Sequence, residues 1–150
     1  MDILFSITFY LAAPFWALMI LAPHWSWTRR IAGSPWIITP PLLIYAVAVL
    51  GDFGTVLPAV ARPTYAEVGD LLADGNGTTA AWAHFIAFDL FVGRWAYLES
   101  RKRGIPALLM APILVLTILL GPLGMLVFLA VRRFFPVKAG AAEQSAVPTA

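Results

Sequence analysis

Cysteine is missing from all 150 residues. Its absence excludes disulfides, thiolate catalysis, Fe–S clusters and cysteine-type zinc sites. Charge is scarce too: 12% of residues are charged, against about 25% in an ordinary soluble domain. Ten Lys and Arg stand against eight Asp and Glu, a net charge of +2, so the pI of 9.3 carries no nucleic-acid signature. The two histidines, His24 and His84, are too few and too separated for a metal site. The sequence contains neither a Gly-rich phosphate loop nor a nucleophile elbow, and no metal or cofactor is expected. What the chain has in excess is apolar surface. It is 61% hydrophobic, with a mean hydropathy of +0.83. A soluble chain of this length has too little interior to hide so much, and a bilayer is its natural solvent.

The expected architecture is all-α: a four-transmembrane-helix bundle over residues 1–135, followed by a disordered tail over 136–150. The first span covers about 3–22 and contains Pro14, a kink that membrane helices tolerate. The chain begins Met1-Asp2 without a basic segment, so this run reads as a membrane helix and not as a cleaved signal. The segment Pro23 to Arg30 reads as a loop, with tryptophans at the interface and arginines on the cytoplasmic face. Ser34-Pro35 caps a second span, 35–50, whose first turns are disturbed by Pro40-Pro41. The long connection from Asp52 to Thr78 contains a capping box, Thr64 with Glu67. Behind it Tyr65, Val68, Leu71 and Leu72 share one face, which predicts a short amphipathic helix at the interface. Asp74-Gly75-Asn76-Gly77 is expected to end that helix, and Thr78 or Thr79 to cap the next. The third span covers 79–98, followed by a basic loop from Glu99 to Gly104, and the fourth covers 105–131.

The basic residues orient this scheme weakly. Four spans place Arg29, Arg30, Arg101, Lys102 and Arg103 on one side, and Arg62, Arg132, Arg133 and Lys138 on the other. A re-entrant hairpin with its tip at Gly121-Pro122-Leu123-Gly124 would bring the C-terminal cluster back to the first side. The length of 106–131 favours one tilted, kinked span, and that is the expectation taken forward.

Ionisable residues inside an apolar span are the candidates for chemistry. Each costs roughly 2.5–3.5 kcal/mol at mid-membrane on insertion scales, so each needs a partner or a function. The third span holds His84, Asp89 and Arg94. Successive members are five residues apart, about 140° of rotation, so they do not form one stripe. Asp89 must therefore meet a partner on another helix, and Gly93 leaves room for close approach. The bland alternatives are a structural hydrogen bond for Asp89, a satisfied structural histidine for His84, and for Arg94 a side chain that reaches the interface. Trp82, Phe85, Phe88, Trp95 and Tyr45 are candidates to line a slot for a flat, long apolar ligand. Aromatic residues more often only pack or face lipid. Ser6 and Thr8 are expected to bond to their own helix.

The string Trp82-x-His84-Phe85-x-Ala87-x-Asp89-Leu90-Phe91-x-x-Arg94 resembles the core motif of the plant abscisic-acid-deficiency membrane family, also called neoxanthin-synthase-like. Pro14 to Pro23 resembles that family's first helix, Ile44-Tyr45-Ala46 its second and Gly121-Pro122-Leu123-Gly124 its fourth. The likeness covers most of residues 3–133. It implies a carotenoid-related role. In plants the family is associated with conversion of violaxanthin to neoxanthin, an intramolecular opening of an epoxide to an allene without net redox change. Such a reaction needs a base for a vinylic proton and an acid for the opening oxygen. Asp89 is the candidate base, given partial hydration or a cationic neighbour, and His84 or Arg94 the candidate stabiliser of the oxyanion. The chain is shorter than its plant counterparts and has no plastid transit peptide, so it reads as a bacterial, multi-pass protein of the cytoplasmic membrane.

The expected function is therefore a membrane protein that binds, and isomerises or otherwise modifies, a carotenoid or related isoprenoid lipid without a cofactor. Two alternatives remain: a non-catalytic binding or assembly partner of pigment enzymes, and a small oligomeric transporter using Asp89 and Arg94. Membrane lipid, a carotenoid ligand and a second copy or a pigment enzyme are the expected partners; nucleic acid is not.

Overall fold

The computed structural model describes residues 1–137, and the described residues are all-helical, without a strand. Lys138 and most of the segment expected as a disordered tail lie outside them. The order is α1 (Asp2–Leu21), α2 (Ser26–Gly33), a 3-10 turn (Pro35–Ile38), α3 (Thr39–Gly51), α4 (Phe53–Ala61), α5 (Tyr65–Ala73), α6 (Gly75–Arg103), α7 (Ala107–Leu119), α8 (Gly121–Val131) and a closing 3-10 turn (Arg132–Phe134).

Helix α6 is the hub, packing against α1, α3, α7, α8 and α5. Its buried side is built largely of small residues, with Ala80, Ala83, Ala87, Gly93 and Ala96 at helical spacing. Such a face lets neighbouring backbones come close. Trp16 of α1 uses this room at Gly93, where any Cβ would overlap the indole. The direction of each helix follows from pairs of contacts. Phe5 stacks on Trp82 at 5.2 Å and the Tyr97 hydroxyl donates to the Pro23 carbonyl at 2.8 Å, so α1 runs parallel to α6. Arg94 donates to the Gly33 carbonyl while Tyr45 lies beside His84, so α3 runs antiparallel.

Several boundaries differ from the sequence expectation for local reasons. The segment after Pro23 is not a loop but contains α2. The basic stretch Glu99–Arg103 is the last turn of α6, stopped by Gly104 in the left-handed conformation (φ 68°). Asp74 does not merely end α5: its carboxylate accepts from the Asn76 N–H at 2.9 Å and caps α6, four residues ahead of the expected start. The connection 52–78 holds α4 as well as the expected amphipathic helix, which is α5. There Thr64 accepts from the Glu67 N–H and donates to its carboxylate. The irregular start at Pro35 is realised as the 3-10 turn, with Ser34 as its cap. Thr8 bonds to the Leu4 carbonyl of its own helix, as expected.

The largest departure is at residues 105–131, which form two helices and not one. Leu120 leaves the helical conformation (φ −145°, ψ 70°). Pro122 can supply no N–H to a continuing helix, but it suits the first turn of a new one. The two helices then fold back on each other. A Cβ on Gly124 would come within 2.6 Å of the Thr117 backbone nitrogen, although seven residues of straight helix span roughly 10 Å. At the far end of α8, Phe128 meets Trp95 edge-on at 5.3 Å, and Arg103 donates to the carbonyls of Arg132 and Phe135. The hairpin thus starts beside the end of α6, reaches back along it to the level of Asp89, and returns. The continuous helix expected from length alone is replaced by the hairpin, because length does not detect the break at Leu120-Gly121-Pro122.

Among the described residues only α1 is by itself both long and apolar enough to cross a membrane. The segments Ser26–Gly33 and Pro35–Gly51 pass the same test only as a pair bent by 74°. Helix α6 has the length, but His84, Asp89 and Arg94 interrupt its apolar run.

Candidate functional site

Asp89 projects from α6 toward the tip of the α7–α8 hairpin. A Cβ on Gly121 would overlap its Oδ1 and lie 2.7 Å from its Cγ. Only glycine allows the carboxylate to sit this close to the first residue of α8. That position lies beside the N-terminal residue of α8, where the helix dipole favours negative charge. The carboxylate makes neither an ion pair nor a side-chain hydrogen bond within the described residues. It opens into a cleft of about 420 Å³ walled by Phe9 of α1, Trp82, Phe85 and Ile86 of α6, and Ile118 to Pro122 of the hairpin. Apart from Asp89 every side chain in that wall is apolar.

The other candidates lie elsewhere. The His84 ring stacks on Phe88 at 4.5 Å and stands 5.6 Å from Tyr45 of α3. It belongs to the α3–α6 contact and does not line the cleft. Arg94 binds the Gly33 carbonyl at 2.7 Å and ties the end of α2 to α6, with its Nε buried and without a partner among the described residues. Trp95 packs against Phe128 and lies under the Arg132 guanidinium. Of the residues singled out in the sequence, the fold gathers Asp89, Trp82 and Phe85 in one cleft and leaves His84, Arg94, Phe88, Trp95 and Tyr45 outside it. This follows from helical rotation: residues five apart face different neighbours.

Sequence reasoning missed Phe9 and the Ile118–Pro122 wall. The Gly-Pro-Leu-Gly string was the available signal for the second, since the alternative of a hairpin tip makes Gly121 a point of close approach. For Phe9 there was none, because α1 is apolar on every face. No three His, Cys, Asp or Glu side chains among the described residues are grouped so as to hold a metal ion.

The arrangement can do a limited set of things. It sets one carboxylate in the wall of an apolar cleft bounded by α1, α6 and the hairpin tip, where it can accept a hydrogen bond or a proton.

The family model described as ABA DEFICIENT 4-like matches residues 3–128. That range includes α1 from its second residue onward, all of α6, the hairpin tip and every wall of the cleft. No curated protein and no solved structure matches the chain.

Proposed function

The chain belongs to the ABA DEFICIENT 4-like, neoxanthin-synthase-like family, and from that premise we propose that it is a multi-pass membrane protein whose Asp89 cleft receives a carotenoid or related isoprenoid. In this reading α1, α3 and α6 cross the bilayer, α7–α8 enters and leaves on one side, and α5 lies at the opposite interface. The four-span count becomes three crossings and a re-entrant hairpin. Exposed apolar side chains support it: Leu21, Leu43, Leu50 and Leu108 are more than 60% exposed, a costly pattern in water and an ordinary one in lipid. The charges support it as well. The hairpin returns Arg132 and Arg133 to the end that holds Arg101, Lys102 and Arg103, as the positive-inside rule favours for a cytoplasmic face. Trp25, Trp27 and Trp36, all exposed, would then form an aromatic belt near that face.

The observation that carries the functional reading is the Asp89 carboxylate set alone in an apolar cleft against Gly121. An intramembrane carboxylate without an ion partner is a functional group by default. For an epoxide substrate the balance is simple. A proton leaves the vinylic carbon for the Asp89 carboxylate, the freed electron pair completes the allene, the C–O bond breaks, and the oxygen takes up a proton to become a hydroxyl. Nothing is oxidised or reduced. With one ionisable side chain in the cleft, the same carboxyl group must take the proton and return it. His84 and Arg94 act by holding α3 and the end of α2 against α6.

The absence of a second ionisable group from the cleft also favours the alternative, a non-catalytic pigment-binding or assembly protein. Pigment profiling separates the two in a host supplied with violaxanthin, zeaxanthin or β-carotene. Catalysis requires that the well-expressed chain change the pigment profile and that Asp89→Asn abolish the change. A chain that co-purifies with pigment without converting it is a binder. A chain that does neither ends the carotenoid reading.

A further inference from the structure

One end of the molecule is strongly basic. Cationic side chains from three separate parts of the sequence collect there: Arg29 and Arg30 of α2, Arg101, Lys102 and Arg103 at the end of α6, and Arg132 and Arg133 after α8. The one ion pair among the described residues joins Arg103 to Glu99 at 2.7 Å. Arg132 is fixed in place: its guanidinium lies 5.5 Å over the Trp95 ring, and its carbonyl accepts from Arg103. Arg133 is exposed beside it. The two arginines and Phe134 form one end of an open groove of about 660 Å³, whose remaining wall is Leu126, Leu129 and Ala130 of α8. The groove is therefore charged at one end and apolar along its length.

We propose that this groove binds one anionic phospholipid, its phosphate between Arg132 and Arg133 and an acyl chain along Leu126, Leu129 and Ala130. The occupant follows from charge and shape together. A bare anion would leave the apolar wall uncovered, and a neutral lipid would leave two arginines uncompensated. Guanidinium pairs suit phosphate oxygens in two-point contact, and basic pockets beside membrane helices take anionic headgroups by the same physics. The proposal rests on the membrane reading of the chain, not on the pigment chemistry. It also gives α8 two fixed points, the lipid at its end and Asp89 at its beginning.

The test uses the full chain in detergent micelles. Phosphatidylglycerol, added in excess, should raise the unfolding temperature by roughly 3 °C and appear as a retained adduct in native mass spectra. Phosphatidylcholine and inorganic phosphate should do neither. The double variant Arg132→Gln/Arg133→Gln should lose both effects, while Arg62→Gln, at the opposite end, should keep them. If the double variant folds poorly, salt decides with the native chain, because screening must remove the phosphatidylglycerol effect and leave the basal unfolding temperature nearly unchanged. An equal response to phosphatidylcholine, or to phosphate alone, overturns the proposal. So does a phosphatidylglycerol effect that survives the double substitution. Alkaline carbonate separates the two levels of inference. Release of the chain from membranes would remove the membrane reading and the lipid site together. A retained chain indifferent to phosphatidylglycerol would remove the lipid site alone.

Discussion

The Asp89 carboxylate of α6 lies so close to Gly121 at the tip of the α7–α8 hairpin that the glycine position has no room for a Cβ. The two residues are far apart in sequence, and each explains the other. Gly121 admits the carboxylate, and the carboxylate lies beside the first residue of the helix that Gly121 begins, where the helix dipole favours negative charge.

This contact predicts coupling. Gly121→Ala must push the carboxylate or the hairpin tip aside, and should destabilise the fold by roughly 1–3 kcal/mol as overpacking. Introduced into an Asp89→Ala chain, the same substitution should cost clearly less, with a coupling of at least about 0.5 kcal/mol. Thermal unfolding of the four chains in detergent measures it. Strictly additive costs would mean that the two residues do not touch.

A second close approach joins α1 to α6. Gly93→Ala places a Cβ inside the Trp16 indole. It should lower stability by roughly 1–3 kcal/mol, and Trp16→Leu should restore part of that loss by vacating the space. Expression level and unfolding temperature report the effect. A Gly93→Ala chain as stable as the native one would show that α1 does not pack here.

The hairpin makes a prediction about sidedness. The chain has no cysteine, so single substitutions give clean labelling sites. Lys102→Cys and Arg133→Cys should react with a membrane-impermeant thiol reagent from the same side of a sealed vesicle. Arg62→Cys should react from the other. Labelling of positions 102 and 133 from opposite faces would restore a continuous crossing helix and remove the hairpin.

The cap of α5 is testable by hydrogen exchange. Thr64→Ala removes both the bond to the Glu67 N–H and the bond to its carboxylate, a loss of about 1 kcal/mol. Amides of Tyr65–Ala73 should exchange several-fold faster, with those of α6 unchanged. Equal exchange in both chains would show that the capping box contributes nothing to α5.

The sequence by itself determined the all-helical architecture, the capping box at Thr64 and the helix through residues 79–98 as carrier of the ionisable residues. These are properties of composition, periodicity and local backbone chemistry, which act within a few residues. It also determined that His84, Asp89 and Arg94 could not share one face, since helical rotation is fixed. Tertiary structure alone decided which neighbour each of them meets: Tyr45 and Phe88 for His84, Gly33 for Arg94 and the hairpin tip for Asp89. It also decided that residues 105–131 fold back as two helices instead of running on as one, although the same length and hydropathy fit one tilted span. The deciding event is a single residue, Leu120, that leaves the helix ahead of Gly121-Pro122. That departure is held by contacts of Gly124, Phe128 and Arg132 with residues remote in the chain, and a local reading cannot see them.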